Sequence, residues 1–152
     1  MIPLYDSTMA EAIGIASGIA GLLSLTITVI NVSYQYVSNA HGASKSISSY
    51  LQELASLKTL LIKLDEIAHS LDTVEIFREC SPALLSMTSI GQCQLVLDQL
   101  HSKLRKHNTG NLLSSHLNRL SWPYAEVETR RLIETIHRHR STFETTLSSN
   151  GL

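Results

Sequence analysis

From Ala12 to Ser44 the chain carries no Asp, Glu, Lys or Arg, and most of that run is apolar: IGIASGIAGLLSLTITVINVSYQYV. Ala12 to Val37 drawn as one helix would be roughly 39 Å long at 1.5 Å per residue. A bilayer core needs about 30 Å. A helix that is apolar nearly all round is either a membrane span or the buried helix of a bundle. This one segment therefore constrains the fold more than any other.

The side chains fall into lines on the 3.6-residue period. Ser17, Gly21, Ser24, Thr28, Asn31, Gln35 and Ser38 form one uncharged, weakly polar line. Leu22, Leu25, Val29, Val32 and Tyr36 form a second. Leu23, Ile27, Ile30, Tyr34 and Val37 form a third. Asn31 and Gln35 on one face argue against a constitutive membrane span. The two apolar lines predict a helix surrounded by other helices, with both lines buried. A charge placed at Ile27 is then expected to unfold the domain.

The chain has 152 residues, enough for one domain with its own core. Its formal net charge of −1 gives no reason to expect nucleic acid as a partner. Residues ahead of the apolar run include Asp6 and Glu11 but no Lys or Arg, so a secretory signal is not expected. Met9-Ala10-Glu11 reads as a natural start, which leaves 1–8 as a leader of unclear role and 9–148 as the domain. The two cysteines, Cys80 and Cys93, do not make a disulfide framework. A cytoplasmic chain with reduced thiols is expected.

Later segments read as amphipathic helices. His41-Gly42 ends the first helix. A second runs from about Ser44 to Leu71, with Tyr50, Leu54, Leu57, Leu61, Leu64, Ala68 and Leu71 inward. Ser81-Pro82 starts a third, with Ala83, Met87, Ile90, Cys93, Leu97, Leu100 and Leu104 inward, and Asn108-Thr109-Gly110 stops it. Leu112, Leu113, Leu117 and Leu120 suggest a short extra helix. The last helix spans about Ala125 to Leu147, with Leu132, Ile136, His139, Phe143 and Leu147 inward. The expected fold is all-α: a four-helix bundle with the long apolar N-terminal helix packed centrally.

No catalytic pattern is present. His137 and His139 are two apart and leave a helix in different directions. HExxH, a zinc-spaced Cys pair and GxxxxGK[ST] are all missing. No enzyme activity, cofactor or metal is expected. Gly14 and Gly18 form a GxxxG, which lets a second backbone approach closely, in lipid or within a bundle. Lys103, Arg105 and Lys106 form a basic cluster that suits anionic lipid headgroups, or simply a solvated helix end. Trp122 is expected to anchor the last connection onto the bundle.

The stretch EAIGIASGIAGLLSLTITVINVSYQYVSNAHGASKSISSYLQELASL, the segment Ser33-Tyr34-Gln35-Tyr36-Val37, and Ser121-Trp122-Pro123 before a charged helix resemble the N-terminal domain of fungal STAND proteins. These are NOD-like receptors with NACHT or related NTPase modules, or ankyrin-repeat tails. The domain is called HeLo-like or SesA-like. The resemblance implies an effector that triggers regulated cell death after oligomerisation. It would rest in the cytoplasm and reach the plasma membrane through its N-terminal helix. The positions that would carry membrane targeting are Ile13, Gly14, Gly18, Gly21, Leu22, Leu23, Leu25, Ile27, Val29, Ile30 and Val32. Implied partners are further copies of the chain, membrane lipids, and an NTPase or repeat module in the same or another chain. An alternative is a helical adaptor that recruits proteins through its outer faces and never inserts.

Overall fold

A computed structural model describes residues 3–38, 45–69, 87–111 and 122–149, and the side chains of 13–36, 45–69, 88–106 and 122–148. The protein is all-α. Four helices follow in order: α1 (Pro3–Ser38), α2 (Lys45–Ala68), α3 (Met87–Asn111) and α4 (Glu126–Ser149). The short helix expected over 112–120 lies outside the described residues.

Pro3 stands at the first position of α1, where its fixed φ suits the helix and its missing N–H costs nothing. Residues 3–8, read from the sequence as a leader, are therefore the first turns of the same helix. At 36 residues, α1 runs for about 54 Å. Its described inner face is a strict alternation of four and three: Ile15, Ile19, Leu22, Thr26, Val29, Ser33, Tyr36. That spacing keeps one narrow stripe against neighbouring helices.

α1 packs between α2 and α3, and α2 packs between α1 and α4. α3 and α4 scarcely meet. The core follows the predicted lines on α2 (Tyr50, Leu54, Leu57, Leu61, Leu64, Ala68, with Leu60 added) and on α3 (Ile90, Cys93, Leu97, Leu100, Leu104). From α4 come Ile136, Phe143 and Leu147, with Thr129 and Thr146 between them. Leu132 and His139 are only partly buried. α3 continues past Asn108-Thr109-Gly110 to Asn111. A glycine in a helix costs only about 1 kcal/mol, too little to stop a helix at that point.

The α4 start is a half capping box. The Ala125 N–H donates to the Glu128 carboxylate at 3.3 Å. Glu126 and Glu128 in the first turn also oppose the helix dipole. Along the α2–α4 seam Glu53 accepts from Arg140 through both carboxylate oxygens, at 3.0 and 3.4 Å, and lies 3.2 Å from His137 Nδ1. Arg140 also reaches Glu144 at 2.6 Å. Burial works against the Glu53 charge, but the Arg140 hydrogen bonds and charge outweigh it and hold the carboxyl below its ordinary range.

The first helix is corrected along its third line. Ile27 and Tyr34 were expected inside; they are 36% and 53% exposed. Among the described residues two helices flank α1, and Ile27 and Tyr34 sit on the arc facing away from both.

Candidate membrane-active surface

The outer arc of α1 is the most unusual surface of the described protein. It comprises Ile13, Ser17, Ala20, Gly21, Ser24, Ile27, Thr28, Asn31, Tyr34 and Gln35, and none of them is charged. Ile13 is 62% exposed and Tyr34 53%. Ile13–Tyr36 is long and apolar enough to cross a membrane by length and composition, yet only 28% of its most apolar window is buried. A helix that formed merely the core of a bundle would bury most of such a window.

The expected targeting positions divide three ways. Leu22 and Val29 are fully buried. Leu23, Leu25, Ile30 and Val32 are partly buried against the core. Ile13, Gly21 and Ile27 face out, while Gly14 and Gly18 lie at the edge. Gly18 serves the bundle: a Cβ there would stand 3.1 Å from Ile90 Cγ2. The missing side chain thus lets α3 cross close to α1. The Gln94 amide donates to the Gly18 carbonyl at 3.4 Å. At Gly21 a Cβ would meet only the mobile end of Gln94, at 3.3 Å.

Hydroxyls on α1 bond to the helix's own carbonyls. Thr26 donates to Leu22 O at 2.7 Å, Thr28 to Ser24 O at 3.0 Å and Ser33 to Val29 O at 2.7 Å. Ser33 also shares a hydrogen bond of 2.9 Å with the Tyr50 hydroxyl. These bonds let Thr26 and Ser33 occupy inner positions. Neither the two apolar lines nor the polar line of the sequence includes them. The signal that finds them is the unbroken four-three spacing from Ile15 to Tyr36.

One end of the bundle is aromatic. Trp122 packs its ring 4.9 Å from Tyr50, 5.8 Å edge-on from Tyr36 and 5.7 Å from Tyr124. Its indole N–H donates to Thr129 Oγ1 at 2.9 Å. The buried Tyr36 hydroxyl donates to the Leu104 carbonyl. Trp122 therefore anchors the approach to α4 onto the bundle, as the sequence suggested. Burial, helped by Glu128 and Tyr36, pushes the Tyr124 hydroxyl up to about 12, and burial raises the Tyr50 hydroxyl as well.

Lys103 and Lys106 share one face of α3 with Asp98, Gln99 and Ser102, and Arg105 does not. Lys103 Nζ sits 4.1 Å over the Tyr124 ring and 3.7 Å from Glu128, so it ties α3 to the start of α4. Arg105 leaves α3 about 160° round from Lys103. Lys106 is exposed. Elsewhere, Cys93 is buried, and burial raises its thiol to about 12, which makes it a small core residue rather than a nucleophile. Among the described residues no three His, Cys, Asp or Glu gather as a metal site needs.

Set against protein-family models, curated proteins and solved structures, the chain matches none of them.

Proposed function

We propose that this domain is an effector that acts on a membrane through α1, of the kind found at the N-terminus of fungal STAND receptors. At rest it is a cytoplasmic bundle. On oligomerisation α1 engages the plasma membrane and triggers regulated cell death, under the control of an NTPase or repeat module. The observation that carries the reading is the membrane-length, charge-free stretch Ile13–Tyr36, most of which lies outside the buried core. Lipid can take the place of α2 and α3 against Leu22, Val29 and their neighbours once the bundle opens. Each such side chain gains about 1.5–3 kcal/mol from leaving water for either environment.

The glycines shape how copies would meet. Gly18 lies against Ile90 in the bundle, so pairing of two chains through Gly14 and Gly18 requires α1 to part from α3 first. Of the basic cluster, Lys106 is the residue best placed for a lipid headgroup, because Lys103 is held by Tyr124 and Glu128.

The test is dye leakage from anionic and neutral vesicles, with the free chain and with the chain fused to an oligomerising partner. The oligomer is expected to release dye and the monomer to be nearly inert. No release by the oligomer from either vesicle type would replace this reading with the non-inserting adaptor.

A further inference from the structure

Among the described residues, the polar and aromatic links of α1 gather at one end. Towards its N-terminal half the described packing is apolar, through Ile15, Ile19 and Leu22, with the close crossing of Gly18 over Ile90 and one long hydrogen bond from Gln94. Towards its C-terminal end, every helix of the bundle converges. Ser33 bonds Tyr50 of α2, Tyr36 bonds the Leu104 carbonyl of α3, and Tyr36 and Tyr50 both pack on Trp122 just ahead of α4. α3 and α4 scarcely meet, and the described contacts between them sit at this same end, through Lys103 with Glu128. α4 otherwise lies along α2.

We propose that the aromatic cluster of Tyr36, Tyr50 and Trp122 is a latch that restrains α1, so that loosening it frees α1 from the bundle while the α2–α4 pair stays packed. The proposal rests on the membrane-acting reading of α1 for its purpose, but not for its mechanics. Mechanically, α2 and α4 keep their own apolar seam and the Glu53–Arg140 pair when the latch opens. α1 loses its aromatic tie to the start of α4, while Lys103 still holds α3 to Tyr124 and Glu128. Trp122 is the single tryptophan of the chain, so its emission reports directly on the opening.

Two variants of the full chain test the latch by amide hydrogen exchange, comparing residues 22–36 with residues 54–64. Trp122→Ala removes the ring that the other two pack on. Tyr36→Phe removes only one hydroxyl. Exchange over 22–36 is expected to accelerate about tenfold in the first and about fivefold in the second, as the loss of one ordinary hydrogen bond implies. Residues 54–64 should change much less. If Trp122→Ala fails to fold, Tyr36→Phe decides alone. Equal acceleration of both segments, or no acceleration over 22–36, would overturn the latch. Vesicle leakage by the same variants separates the two ideas. Faster exchange with faster leakage supports both. Faster exchange with no leakage, even from oligomers, keeps the latch and rejects membrane action.

Discussion

The inner and outer faces of α1 are both uncharged, the inner mostly apolar and the outer a mixture of small, polar and apolar side chains. The inner face holds Ile15, Ile19, Leu22 and Val29, but also Thr26 and Ser33. The outer face holds Ser24, Thr28 and Asn31, but also Ile13, Ile27 and Tyr34. Neither carries a charge. On an ordinary amphipathic helix such as α2, hydropathy alone separates the faces: Lys63 and Glu66 lie out, Leu57, Leu61 and Leu64 in. On α1 what separates them is spacing and the partners each position meets. The outer face of α1 is set apart from ordinary helix surface by having no charge among its described residues.

The sharpest way to break this comparison is to put a charge on each face. Leu22→Asp strands a carboxylate in the core and should cost about 3–5 kcal/mol, enough to unfold much of the protein in a thermal melt. Ile27→Asp removes a side chain that is 36% exposed and should cost about 1–2 kcal/mol, and the protein should stay folded. Equal effects would mean that the two faces are equally buried.

The glycines give the next test. Gly18→Leu forces a side chain against Ile90 and should destabilise by about 2–3 kcal/mol in urea titration.

Acid distinguishes the two seams of α2. The α2–α4 seam holds Glu53, whose carboxyl is depressed in the folded state. Its contribution is complete above the ordinary carboxylate value and is lost as pH falls through the folded value. Glu53→Gln should cost about 1–2 kcal/mol at pH 7, and the gap to the native protein should close below about pH 4. His139, lowered by burial and then by Arg138, adds a milder loss on the same helix as pH drops below about 6.5. The α1–α2 seam carries no ion pair among its described residues. Exchange over α1 should therefore respond to acid later than exchange over α4.

The smallest effect expected is a gain. Gly21→Ala on the outer face should stabilise α1 by about 0.5–1 kcal/mol through helix propensity, since only the end of Gln94 has to move.

Much of this architecture was legible. The inward lines of α2 and α3 are strong because charged residues mark their opposite faces, and Ser-Trp-Pro marked the anchor before α4. α1 was legible as a helix but not as a pair of faces. Three apolar and polar lines without charge leave its rotation undetermined, so Ile27 was placed inside and Thr26 and Ser33 were passed over. The pairing of Tyr36 with Leu104, and of Lys103 with Tyr124, spans distant segments. Local periodicity carries no information about such contacts. Within the basic run Arg105 parts from Lys103 and Lys106, because proximity along a helix is not proximity around it.

The serine and threonine hydroxyls of α1 carry a consequence for any change of surroundings. A polar group moved into hydrocarbon is costly when its donor has no acceptor. Thr26, Thr28 and Ser33 already give their protons to carbonyls one turn back in the same helix. These acceptors travel with the donors. Whether α1 lies against α2, in water or in lipid, those three protons stay satisfied. The links that transfer would break are those to other helices, Ser33 with Tyr50 and Tyr36 with the Leu104 carbonyl, and the side-chain amides of Asn31 and Gln35 would need new partners in hydrocarbon.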